Sequence, residues 1–149
     1  MTEAAHERAL AYLETHNVAT LSTFGSEGPW AAAVFYASEG FKLYFLSSPT
    51  TRHGRNLDGD PRAAAAVHED YRDWPAIKGI QMEGRVSILT GQDRDRVIGL
   101  YARKFPIIAD PAEAKIREAL SRVDWYGLVP QRVYFIDNAL GFGHRDQIL

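Results

Sequence analysis

Ten consecutive residues carry most of the chemistry this chain offers: Ser47-Ser48-Pro49-Thr50-Thr51-Arg52-His53-Gly54-Arg55-Asn56. They follow a hydrophobic run directly and open a helical turn. Four hydroxyls, an arginine fork and the exposed N–H groups of a helix start suit a phosphate dianion. A plainer reading stands beside it, in which Ser48 and Thr50 cap the helix while Arg52 and Arg55 are solvated. Other catalytic templates are missing. No Gly-x-Ser-x-Gly elbow offers a serine nucleophile, and no Walker-type loop occurs. Gly141-Phe142-Gly143 has six residues after it, too few for the helix of a dinucleotide site. Histidines 6, 16, 53, 68 and 144 form no i, i+4 pair for zinc, and no metal is expected. Without cysteine there is no disulfide framework, thiolate zinc site or cysteine nucleophile.

The elements that must position that segment are legible as one domain over residues 1–149. A helix is expected over Glu3–Thr15, with Ala5, Ala9, Tyr12 and Leu13 as its apolar stripe, Thr2 as N-cap and Asn17 as stop. Strands follow at 18–24, 30–36 and 41–47, the last two around the hairpin signal Ser38-Glu39-Gly40. In the third strand Phe41, Leu43 and Phe45 share one face, with Lys42 and Tyr44 on the other. A helical turn spans 50–57 and stops at Asp58-Gly59-Asp60-Pro61. The alanine-rich run 62–68 reads as a strand of small residues after Pro61. In 77–89, Ile80, Met82, Val86 and Ile88 alternate with Gln81, Glu83, Arg85 and Ser87, and Gly84 marks a bulge or a close backbone approach. A helix over 93–105 starts at a capping-box-like Thr90 and Asp93 and buries Val97, Ile98, Tyr101, Ala102 and Phe105. A second starts at Asp110-Pro111 and runs to Leu120. Strands at 123–129 and 133–137, broken at Pro130, finish the sheet. Six or seven strands at hairpin spacing with helices outside predict a mainly β fold, a small antiparallel barrel with α additions.

In order along the chain, a hydrophobic strand, Ser47, Thr51-Arg52-His53, Asn56-Leu57 and Asp60-Pro61 resemble the FMN-binding split-barrel superfamily of pyridoxamine-phosphate-oxidase type. The likeness continues through Gly79-Ile80-Gln81-Met82-Glu83-Gly84 and Leu128-Val129-Pro130-Gln131-Arg132-Val133-Tyr134-Phe135. Within it, Phe35-Tyr36, Arg103-Lys104-Phe105-Pro106 and the tail Asp137-Asn138-Ala139-Leu140-Gly141-Phe142-Gly143-His144 are most similar to the small bacterial YhbP-like proteins. The resemblance implies a split β-barrel, an FMN cofactor, a homodimer with flavin at the subunit interface, and a flavin-dependent oxidoreductase acting on a small, unidentified molecule. Rival ligands on the same fold are deazaflavin F420 and haem, and a rival role is flavin binding or sensing without turnover.

Carried onto this chain, the resemblance assigns Ser47, Ser48, Thr51, Arg52 and His53 to the phosphate, and Ala33, Val34 and Gln81 to the ring. Small side chains at 31–33 and 63–66 would let a flat ring approach strand backbone, although tight packing explains them equally. Gln81 either reaches the ring edge or faces solvent. Trp74, Trp125 and Tyr126 cover a ring, close an interface or fill the core, and His144 caps a partner's pocket or sits in a surface tail. Two departures stand out. Strand two, Trp-Ala-Ala-Ala-Val-Phe-Tyr, lacks the bases that hold phosphate in true pyridoxamine phosphate oxidases, and His53 stands where they use lysine. Their C-terminal substrate-binding arginine motif is not recognisable, so vitamin B6 oxidation is not expected. No catalytic acid or base is assigned.

Composition bounds the partners. Of 149 residues, 46% are apolar and 24% charged, a globular balance with enough length for a core. A net charge of -2 lacks the basic surplus of a nonspecific nucleic-acid binder. No apolar run approaches the roughly 18 residues of a membrane span. Met1 to Arg8 carries Glu3, His6 and Glu7, which is unlike a signal peptide. The expectation is a cytoplasmic protein.

Overall fold

Alternating burial along the strands builds one antiparallel sheet in the computed structural model, which describes residues 3–149. In β1 (Val18–Gly25) Ala19, Leu21 and Thr23 point inward, and in β5 (Arg62–His68) Ala63, Ala65 and Val67 do. Ile80, Met82 and Val86 of β6 (Lys78–Ile88) and Leu128, Val133 and Phe135 of β7 (Asp124–Asp137) complete that layer. β2 (Gly28–Phe35), β3 (Ala37–Glu39) and β4 (Lys42–Ser47) fill out the order β2-β1-β5-β6-β7-β4-β3, and β8 (Arg145–Gln147) pairs with β7. The result is the split antiparallel barrel expected. It has eight strands rather than six or seven, because two three-residue strands, β3 and β8, fall below what a hydrophobic period can signal.

α1 (Glu3–Thr15) lays Ala5, Ala9, Tyr12 and Leu13 on the core, the stripe read from the sequence; Thr2, its expected cap, lies outside the described residues. Tyr36 Oη donates to Leu13 O at 2.6 Å, and Lys104 Nζ donates to His16 O, so two distant elements pin its C-terminal end. A second apolar layer joins Tyr44 and Trp125 on the other face of β4 and β7 to Val97 and Tyr101 of α3 (Gly91–Lys104). Trp125 and Tyr126 are therefore core residues, with Tyr126 stacked on Phe45 at 5.1 Å. No helix among the described residues is long and apolar enough to cross a membrane.

Three local expectations are corrected. Pro130 does not break the last strand: β7 runs through it because Pro130 meets Gly84 at the β6–β7 register shift, where no ladder N–H is required of it. Gly84 is indeed a close approach, since a Cβ there would lie 2.1 Å from Val129 O. The helix expected from Pro111 begins only as α4 (Ala114–Leu120). The carbonyls of Pro111 and Ala112, which an earlier start would commit to helical bonds, accept from Arg117 Nη1 at 2.9 and 3.1 Å. Thr90 occupies the N-cap of α3 but its side chain makes no capping bond, and Asp93 pairs with Arg96 at 3.1 Å. The glycine-containing tail ends in an ordered strand, with Ile136 opposite Arg145 and Tyr134 opposite Gln147.

Candidate functional site

The bend between β4 and α2 (Arg52–Gly59) is held by its own hydroxyls. Thr51, in extended conformation, caps the helix by accepting from Gly54 N at 3.1 Å and donates to Ser48 O at 2.8 Å. Ser48 Oγ and Thr50 Oγ1 share a hydrogen bond of 2.8 Å, and Thr50 N donates to Ser48 Oγ at 3.3 Å. The capping role considered for Ser48 and Thr50 thus falls to Thr51, the residue immediately before the helix. Asn56 Nδ2 donates to Thr23 Oγ1 at 3.1 Å, satisfying a buried hydroxyl of β1. That contact needs Gly25, where a Cβ would lie 2.0 Å from Asn56 Oδ1. The middle of α2 is thereby fixed to the sheet.

Arg52 and His53, adjacent in α2, serve different neighbours. His53 is 8% exposed, and its Nε2 lies 2.6 Å from Ser47 Oγ. Burial lowers its pKa below the ordinary histidine value, so near neutral pH it is an uncharged ring that braces the end of β4. Arg52 turns toward the β1–β2 hairpin. Its Nη2 donates to Glu27 O at 3.2 Å and its Cζ sits 4.3 Å from the centroid of the Trp30 ring. Arg52 Nε is buried without a hydrogen-bond partner, and the Glu27 carboxylate stands 3.9 Å from it. A buried, unpaired guanidinium N–H is costly to leave so, and an anion is the natural group to satisfy it. The donor set fits a phosphate: one charged fork and the Arg52 and His53 amides at the start of α2, Gly54 N being taken by Thr51, on a braced bend.

The structure brings Ser47, Ser48, Thr51, Arg52 and His53 together, and leaves the ring candidates spread over the sheet. Ala33 is exposed on β2, an edge strand in the sheet order, whereas Val34 turns into the core, so only its backbone remains available to a ligand. Gln81 stands between Ala66 and Tyr134 on the outer face, in a shallow pocket with Glu83, Tyr134 and Arg145, and no hydrogen bond among the described residues links it to the bend. That outer face also displays Ser22, Ala31 and Ala64, in register across β2, β1 and β5. Trp74 is 65% exposed and stacks on Phe142, 77% exposed, at 5.6 Å. His144 Nε2 lies 3.0 Å from Asp146 Oδ2. Glu27 and Trp30 were not legible as site residues. Their only sequence signal is a hairpin turn, and the helix they meet begins 22 residues after Trp30.

The family model for pyridoxamine 5'-phosphate oxidase matches residues 5–137. A UPF0306 protein of Photorhabdus laumondii is 29% identical over 136 residues, covering 90% of this chain and 88% of that protein. A haem-binding protein from Mycobacterium smegmatis superposes with a TM-score of 0.75 at 25% identity; the match covers 99% of this chain and 57% of that one. HutZ, the haem storage protein from Vibrio cholerae, superposes with a TM-score of 0.71 at 18% identity, over 87% of this chain and 92% of that one, a likeness of fold. With the family match extending over nearly all the described residues, and a split barrel beneath it, this chain belongs to the pyridoxamine 5'-phosphate oxidase family.

Proposed function

We propose that this chain binds FMN at the β4–α2 bend, as a homodimer with the flavin at the subunit interface, and acts as a flavin-dependent oxidoreductase on a small molecule. The observation that carries the reading is the buried, unpartnered Nε of Arg52 on a bend rich in hydroxyls and helix-start amides. Arg52 takes the phosphate, Thr51 shapes the helix start that receives it, and neutral His53 holds Ser47 in place. Small side chains at Ala31, Ala33, Ala64 and Ala66 leave strand backbone open to a flat ring and to a second subunit. FMN, when bound, supplies hydride chemistry; the chain binds and orients it.

The test is a fluorescence titration with FMN and riboflavin on the wild type and on Arg52→Ala. FMN binding should weaken at least about tenfold, the loss of one charge-assisted hydrogen bond, while riboflavin, lacking phosphate, is unaffected. Equal loss of both ligands argues against the phosphate assignment. Turnover is tested by anaerobic reduction with NAD(P)H, slow reduction favouring a binder or sensor.

Haem is the second reading. Two solved neighbours are named for it, and His144, oriented by Asp146 through Nε2, resembles the carboxylate-positioned histidines that ligate metals. The visible spectrum of protein as purified separates the two, since a Soret band belongs to haem alone. F420 is distinguished by its own spectrum and mass.

A further inference from the structure

The side edge of the Arg52 fork, Nε with Nη2, is the edge that grips a phosphate with two parallel hydrogen bonds. Here one residue covers it. Glu27 accepts from Nη2 with its backbone carbonyl at 3.2 Å and holds its carboxylate 3.9 Å from Nε, too far to satisfy that N–H. Trp30 covers a face of the guanidinium at 4.3 Å, so an incoming anion must use an edge. The Glu27 side chain is 71% exposed and borders a cleft shared with Arg55, Asn56 and Asp60, which gives it room to swing clear.

We propose that Glu27 sets the anion affinity and selectivity of this site: its carboxylate competes for the Arg52 fork and repels a dianion, so binding requires its displacement. The proposal rests on the reading of the bend as an anion seat. A carboxylate there attracts Arg52 while nothing is bound and opposes a doubly charged phosphate as it arrives. It therefore lowers affinity for phosphate esters and leaves uncharged ligands alone.

The experiment titrates wild type, Glu27→Gln and Glu27→Ala with FMN, riboflavin and inorganic phosphate, reading flavin fluorescence and thermal shift. Glu27→Gln keeps the backbone contact to Arg52 and removes only the charge. It should tighten FMN about fivefold, the weight of one exposed charge pair, with riboflavin unmoved. The gap should close at about 1 M salt, where screening shortens the reach of charges to a few ångströms. If both variants weaken FMN, Glu27 orients Arg52 instead and the proposal is overturned. Wild-type FMN binding with less than about a twofold change in either variant also overturns it, while leaving the anion seat intact. Failure of all three proteins to take FMN or inorganic phosphate removes the seat itself, and the role of Glu27 with it.

Discussion

Burying an imidazole disfavours its charged form, and His53 carries that cost into the stability of the chain. Its folded pKa lies below the ordinary value near 6.5, so the unfolded chain takes up the proton first. Stability contributed by the neutral ring is therefore full above about pH 6.5 and falls as the pH drops below it, toward the lower folded pKa. Melting temperatures measured between about pH 5 and 8 should show this fall in the wild type and a shallower one in His53→Gln. Thr51 supplies a different contribution. Thr51→Ala removes the cap to Gly54 N and should cost about 1 kcal/mol, read as a lower urea midpoint with unchanged slope. Ser47, Thr51, Arg52 and His53 were readable as one cluster because they lie within seven residues. Glu27 was not, because its carboxylate reaches Arg52 only through the pairing of β1 with β2 and the docking of α2 on β1.

Among elements, the β6–β7 pair shows how a local signal and a tertiary cause divide the work. Gly84 was legible as a bulge or close approach, and the structure makes it both, with the register shift between Glu83 and Gly84 placed opposite Pro130. Gly84→Ala puts a methyl against Val129 O, a backbone atom that cannot yield cheaply, and should destabilise by about 3 kcal/mol, measured by chemical denaturation. Pro130 looked like a strand break because proline removes a ladder donor. It is tolerated because β7 carries an extra residue beside it, Gln131, unpaired between Pro130 opposite Gly84 and Arg132 opposite Glu83, a fact of pairing that no single strand encodes. α4 illustrates the converse: Asp110-Pro111 has the chemistry of a helix start, yet Arg117 claims the carbonyls of Pro111 and Ala112, and the helix begins at Ala114.

For the whole molecule, the dimer reading puts the proposed second subunit on the outer face bearing Ser22, Ala31, Ala33, Ala64 and Ala66, where exposed small side chains lie in register. A stable interface of the usual kind buries about 800 Å² on each partner, and small side chains allow such close approach. Ala64→Arg projects a long charge from the centre of that face at an exposed position opposite Glu83, which already pairs with Arg132, so the substitution disturbs no buried packing of the single subunit. Sedimentation should show a dimer for the wild type and a monomer for this variant, with FMN affinity lost together with the dimer. A variant that stays dimeric places the interface elsewhere.

Local order alone determined the long strands through β6, the stripe of α1, and the cluster of hydroxyl, arginine and histidine after the third long strand. Each depends on residues a few positions apart, where side-chain period and turn chemistry act directly. Tertiary structure decided which donors of that cluster were already used and which remained unpaired, and which carboxylate faces the free edge. It also decided that Trp125 and Tyr126 belong to the core while Trp74 does not. Those outcomes depend on strand register and helix docking, which bring together groups tens of residues apart through the packing of the whole sheet.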